Sequence, residues 1–211
     1  MTSTQISLKR KPKQAYHHGD LASELLRAAR VELSENGLES FSLRAVAKRA
    51  GVSHGAPAHH FKDVNGLLTA LASLGYEGLI EAQQARKARA TPDPRSQLIS
   101  SGLGYLDFAT DNPALFRLMF SSEKPDRNDE KFAEVSMAAF NMLVSDISNV
   151  FDTNPYSDPM AMRQVMATWS MVHGLAELVI SGRAEVPLGL GQLTRTERDA
   201  VLTDIILRGM N

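Results

Sequence analysis

Cysteine is absent from the 211 residues, so the chain has neither disulfides nor thiolate metal sites. That absence fits a reducing compartment, and the expected location is the cytoplasm. No run of about 18 apolar residues occurs, which argues against a membrane span. The opening stretch Met1-Thr-Ser-Thr-Gln-Ile-Ser-Leu-Lys-Arg-Lys-Pro-Lys13 lacks the apolar centre of a signal peptide. No segment alternates with period two, so strands are not expected, and there is no internal repeat or low-complexity tract. Net charge is almost nil, −1 at pH 7. At 43% hydrophobic and 22% charged the chain has an ordinary globular composition and enough length for a sizeable core.

The near-zero charge hides an asymmetry. Residues 1–62 carry ten Lys/Arg against five Asp/Glu, whereas residues 63–211 carry thirteen against nineteen. Five of the six histidines, His17, His18, His54, His59 and His60, also lie in the first part. A basic head on an acidic body points to a polyanion as the head's partner.

The most informative stretch is Phe41–Phe61. Ser42 is placed to cap a helix whose apolar face holds Val46, Ala47 and Ala50. Gly51 follows, suited to the left-handed conformation that ends a helix. Ser53 is then placed to cap a second helix running to Phe61. Two caps and a glycine in so short a span describe a helix-turn-helix, whose second helix enters the DNA major groove.

Around this unit the periodicity predicts an all-α chain of about nine helices. Residues 1–15 read as a basic arm, 16–62 as a helix-turn-helix domain and 63–211 as a larger helical domain. Asp20 is placed to cap a helix to about Asn36, with Leu21, Leu25, Ala28, Ala29 and Leu33 on one face and Gly37 as its stop. Asp63 caps a long helix with Leu67, Leu71, Leu74 and Leu79 in its stripe, followed by the breaker Thr91-Pro-Asp-Pro94. Further helices are expected to about Asn112, over Pro113–Phe120, over Asp129–Phe151, over Met160–Arg183 and over Thr194–Gly209. The polar loop Ser121–Asn128, Asn154–Pro159, and Gly182 with the Gly189–Gly191 stretch separate them.

The blocks Leu43-Arg-Ala-Val-Ala-Lys-Arg-Ala-Gly-Val-Ser53, His60-Phe61 and Asp63-Val-Asn-Gly-Leu-Leu68 resemble the N-terminal domain of the TetR family of bacterial transcriptional repressors. Tyr16-His-His-Gly-Asp-Leu21 and Trp169-Ser-Met-Val-His-Gly-Leu-Ala176 resemble one branch of it, in which a Trp and a His-Gly pair mark the C-terminal domain. The resemblance implies a three-helix DNA-binding head, a helical body with a ligand pocket, and a homodimer joined through its last two helices. It further implies a roughly palindromic double-stranded operator and release of DNA when a small apolar or amphipathic effector binds. No cofactor, no metal and no catalytic activity are expected.

By position, Ser42, Arg44 and Lys62 are candidates for phosphate contact, with Ser53, His54, Gly55, Ala56, His59 and His60 in the recognition helix or its entry. Lys9, Arg10, Lys11 and Lys13 of the arm either track the DNA backbone or form a solvated tail. Many relatives carry tyrosine where this chain has Ala58, which removes one backbone contact and leaves histidines as the long polar groups of the helix. Histidines facing phosphates predict tighter DNA binding as pH falls from about 8 to about 6.

The candidate effector pocket comprises Phe108, Phe116, Met119, Phe120, Met137, Phe140, Met166, Trp169 and His173. Methionine repacks around varied shapes, although the same residues also suit an ordinary core. His173 is either a ligand contact or a satisfied interior histidine. Met160–Arg183 is apolar almost all round, so it is expected to bury two sides. Val165, Val172, Ala176 and Val179, together with Val201, Leu202, Ile205 and Ile206, are the candidate dimer interface.

Two competing readings stay open. A DNA-binding regulator could use its body only to dimerise, and a helical enzyme or carrier could retain a vestigial head. Gly51-Val-Ser-His-Gly55 also fits the G-x-S-x-G pattern of hydrolases, but no strand precedes it as that motif requires. The His-His pairs lack helical i, i+4 ligand spacing and no cysteine or carboxylate cluster completes a metal site.

Overall fold

The structure, a computed structural model, describes residues 18–209, with side chains from Leu21 onward. The arm, with Lys9, Arg10, Lys11 and Lys13, lies outside the described residues, as does His17. Among the described residues there are ten α-helices and no strand. They are α1 (His18–Asn36), α2 (Leu43–Ala50), α3 (Ala56–Phe61), α4 (Val64–Lys87) and α5 (Pro94–Asp111). There follow α6 (Pro113–Ser121), α7 (Glu130–Phe151), α8 (Pro159–Ile180), α9 (Glu185–Leu188) and α10 (Arg195–Arg208), with a 3-10 turn at Leu190–Gln192. None of these helices is long and apolar enough to cross a membrane.

Local chemistry sets most boundaries. Ser42 Oγ accepts from the Ala45 N–H at 3.2 Å and Asp63 Oδ1 from the Gly66 N–H at 2.8 Å, so α2 and α4 begin where a side chain can take an orphan amide. Thr194 and Glu197 form a capping box at the start of α10. At the end of α2, Gly51 adopts φ +68°. Its N–H donates to the Lys48 carbonyl and that of Val52 to the Ala47 carbonyl, the Schellman pairing that turns the chain sharply toward α3.

Three expectations need correction. Asp20 falls inside α1 instead of before it. Ser53 caps nothing with its side chain: α3 starts at Ala56 behind Gly55, and the bond there runs from the Ala56 N–H to the Ser53 carbonyl. Leu74, expected in the buried stripe of α4, is 42% exposed, because it faces the notch between head and body. The tenth helix, α9, lies between Gly182 and Gly189, where the periodicity predicts no helix.

One continuous apolar core runs from Leu25 and Val46 in the head through Leu67 and Leu71 to Val172 and Ile206. Two helices organise it. α4 packs against α1 and α3 on one side and against α5, α6 and α7 on the other. α5 packs in turn on α4, α7, α8 and α10. α4 and α5 approach closely at Gly104, where a Cβ would stand 2.5 Å from Gln83 Cα. Only glycine permits that separation.

Polar bonds pin α4 at its C-terminal end. Arg86 bridges Asp107 of α5 (2.6 Å) and Asp199 of α10 (2.5 Å), and these hydrogen bonds hold its guanidinium pKa above the ordinary range. Lys87 pairs with Asp146, a carboxylate of α7 that is buried.

Candidate functional site

The head presents one continuous polar edge. Ser42, Arg44, Ser53, His54, Gly55, His59 and Lys62 are exposed, along with Ala58, while Ala56 and His60 are half-buried. The His60 ring leans between His59 and Phe61, with centroids 5.9 and 6.3 Å away. Pro57 is fully buried and fastens the first turn of α3 to the head's interior. Not every basic residue of the head joins this edge. Arg49 turns inward to Glu32 and Glu35 of α1, so its charge locks α2 onto α1.

Lys62 links α3 to α4 in an unusual way. It has φ +67° and ψ −61°, and the Asp63 N–H donates to the Phe61 carbonyl at 2.8 Å. That is a γ-turn with positive φ, a strained conformation for a residue with a side chain. Gly66 makes it possible, since a Cβ there would lie 2.1 Å from the Phe61 carbonyl oxygen. α3 is therefore joined to α4 by two residues only, Lys62 in the γ-turn and Asp63 as the cap of α4.

Residues far away in sequence also reach this edge. The loop between α6 and α7 brings Lys124 and Arg127 into the same cleft as His59, His60 and Lys62. The loop is held there by the Asp126 N–H, which donates to Thr69 Oγ1 of α4 at 2.9 Å. Sequence reasoning did not name these two cations, because no local spacing connects residue 124 to residue 62.

The body encloses a cavity of about 390 Å³ lined by α4, α5, α7 and α8, with Phe120 of α6 and Ile206 of α10. Of the residues expected there, Phe120, Met137, Phe140, Met166 and Trp169 line it. Met137 and Met166 are also 54% and 43% exposed, which places them at its mouth. α4 contributes Tyr76, Leu79 and Gln83, none of which the sequence placed in the pocket.

Phe108, Phe116, Met119 and His173 do not line the cavity. Phe116 and Met119 are buried in the core, with Met119 packed over Gly75, and Phe108 lies against Gly78 of α4. His173 is an interior histidine with a partner: its Nδ1 lies 2.8 Å from the Tyr105 hydroxyl and its ring stacks on Phe116. Burial holds its pKa below the ordinary value, with Glu177 opposing.

The expected dimer residues also divide. Val165, Val172, Ala176, Val179, Leu202 and Ile206 are buried within the single chain, so they are core positions and offer no free face to a partner. Val172 and Ile206 instead line the cavity. Val201 and Ile205 remain half-buried. The face of α8 that is open carries Ala167, Ser170, Gly174 and Leu178, a ridge of mostly small side chains.

Comparison with known proteins agrees with both halves. Residues 25–71 match the family of bacterial regulatory proteins of the tetR type, and residues 98–200 match the tetracyclin repressor-like C-terminal domain. The HTH-type transcriptional regulator BetI of Stenotrophomonas maltophilia is 28% identical over 152 residues, 72% of this chain and 77% of that protein. The regulator of the same name from Yersinia pestis is 36% identical over 95 residues, 44% of this chain and 48%, about half, of its own length. A solved structure of a protein of unknown function from Rhodococcus sp. RHA1 superposes with a TM-score of 0.74 at 28% identity, covering 93% of this chain and 98% of its own. The TetR family regulator PfmR of Thermus thermophilus shares the fold, with a TM-score of 0.63 at 21% identity over 89% of this chain and 98% of its own. With a helix-turn-helix head matching one family domain and a helical body matching its companion in the same order, the chain belongs to the TetR family of DNA-binding transcriptional regulators.

Proposed function

We propose that this regulator is a homodimeric repressor, with a head over residues 16–62 and a body over 63–211, released from DNA by a small apolar or amphipathic effector held in the body cavity. The observation that carries this reading is the double duty of α4. Its first turn follows the recognition helix through the γ-turn at Lys62, and its second half supplies Tyr76, Leu79 and Gln83 to the cavity wall. A molecule that displaces that wall shifts the axis on which the recognition helix is mounted.

Two heads would read half-sites of a roughly palindromic operator about 34 Å apart. Phosphate contacts fall to Ser42, Arg44 and Lys62 and to the arm cations Lys9, Arg10, Lys11 and Lys13, and groove contacts to the Ser53–His60 stretch. The open ridge of α8, with Val201 and Ile205 of α10, is the surface offered to the second subunit. Its small side chains allow close helix approach about a two-fold axis.

The decisive experiment first maps bound DNA across the genome to obtain the operator, then measures operator affinity by fluorescence anisotropy. Compounds that fill the cavity, detected through the emission of Trp169, should lower that affinity tenfold or more. Compounds that fill it and leave operator affinity unchanged would refute the effector reading while leaving DNA binding intact.

A further inference from the structure

The cavity wall specifies more about its occupant than size. No charged side chain contributes to it. An ion entering would lose its hydration with no counter-charge to meet it, so the lining selects against charged molecules. The aromatic members, Tyr76, Tyr105, Phe120, Phe140 and Trp169, offer apolar area instead.

Gln83 is the exception on this apolar surface. It is only 7% exposed, and its amide is oriented by α5: Nε2 donates to Ser101 Oγ at 3.0 Å and lies 3.4 Å from the Ser101 carbonyl oxygen. A backbone carbonyl can only accept, which fixes the nitrogen on that side and turns Oε1 away from it. Oε1 has no partner in the protein. Among the described residues two other buried side-chain atoms share that condition, one on Asp146 and one on Glu177, and neither residue belongs to this wall. Three of the wall's other hydroxyls, those of Tyr105, Ser136 and Thr168, are engaged. Tyr105 bonds His173, Ser136 donates to the Ala133 carbonyl, and Thr168 accepts from Gln164.

We infer that the cavity takes an uncharged, largely apolar molecule that carries a hydroxyl or N–H group and donates it to Gln83 Oε1. This rests on reading the cavity as a ligand site. Gln83 acts as a specificity-determining residue: an acceptor buried without a partner disfavours the empty wall, and a donor on the ligand relieves that penalty. Because Gln83 lies on α4, the same hydrogen bond ties the ligand to the helix that carries the recognition helix.

The test uses the full-length protein and three probes that do not absorb with tryptophan: n-nonanol, nonyl methyl ether and nonyltrimethylammonium. Trp169 is the sole tryptophan and lines the cavity, so its emission reports occupancy directly. Apolar area alone favours the ether, which has one more methyl. A hydrogen bond to Gln83 predicts the reverse, with the alcohol bound about tenfold more tightly than the ether. Gln83→Leu should abolish the alcohol's advantage, and Gln83→Met serves the same purpose if the leucine variant fails to fold. The comparison in the unaltered protein decides the matter even if neither variant folds. Equal affinities, a preference for the ether, or tightest binding of the cation would overturn the inference. Failure of all three probes to bind would overturn it together with the effector reading. An alcohol preference that leaves operator affinity untouched would uphold the inference and refute only the effector reading.

Discussion

Lys62 holds a backbone conformation that a side chain resists, in the two-residue link between the recognition helix and α4. Strain of this kind costs on the order of 1–3 kcal/mol and persists where the surroundings overdetermine it. Two substitutions separate its backbone from its charge. Lys62→Ala and Lys62→Gly should both weaken operator binding and reduce its salt slope by about 1, as loss of one phosphate contact requires. Only the glycine variant relaxes the turn, so its thermal midpoint should exceed that of the alanine variant. Equal midpoints would mean that the turn stores no strain. Gly66→Ala acts oppositely: its Cβ would need the space of the Phe61 carbonyl oxygen, 2.1 Å away. The γ-turn must then open, with a stability loss of roughly 1–3 kcal/mol and, by anisotropy, at least a tenfold loss in operator affinity. At the start of α5, hydrogen bonds from Ser96 and then Thr91 hold the Asp93 carboxyl down to about 2. A depressed pKa gives stability that is complete above the unfolded value, near 3.8, and is lost as pH falls toward 2. The midpoint gap between the unaltered protein and Asp93→Ala should therefore narrow steadily below about pH 4, and a gap constant from pH 5 to 3 would rule the cap out as its source.

Between elements, the Lys87–Asp146 pair joins the end of α4 to α7, and Asp146 is 3% exposed. Removing one partner of a buried pair leaves an uncompensated charge, at a cost of about 3–5 kcal/mol, whereas replacing both with apolar groups is far milder. Lys87→Met should accordingly be less stable than the double variant Lys87→Met/Asp146→Leu in denaturant titration. If the double variant were the weaker, the loss in Lys87→Met would not come from leaving Asp146 buried and unpaired. The same scale explains what the sequence could disclose. Caps at Ser42 and Asp63 were legible because a side chain bonding an amide three residues ahead is a local event. The left-handed stop at Gly51 was legible for the same reason. Which face of α8 looks outward was not, because that helix is apolar nearly all round. Periodicity found the stripe Val165–Val172–Ala176–Val179 but could not say that it faces the chain's own interior. The polar head edge lies almost within one stretch of sequence, so its residues could be named together. The cavity draws on α4, α5, α6, α7, α8 and α10, and its α4 wall escaped notice because Leu79 and Gln83 look like routine positions of a long helix.

For the whole molecule the question is how far a ligand on one side of α4 can influence DNA on the other. The core is continuous from head to body, and α4 is fixed at one end by the Lys62 turn and at the other by Arg86 between α5 and α10. A helix held at both ends transmits displacement as rotation or translation of the whole rod, since close-packed interfaces do not deform continuously. Tight binding alone moves nothing: a ligand shifts the heads only by its difference in affinity for the two arrangements, about 1.4 kcal/mol for a tenfold effect. Linkage then makes a quantitative demand. If saturating n-nonanol lowers operator affinity by some factor, saturating operator must lower n-nonanol affinity by the same factor. Trp169 emission measures the second quantity and operator anisotropy the first, on the same protein in the same buffer. Agreement of the two factors would tie the release of DNA to occupancy of this cavity. A loss of operator binding with no change in n-nonanol affinity would instead assign the release to some other action of the alcohol, such as loosening the fold, and would remove α4 as the connection between the two sites.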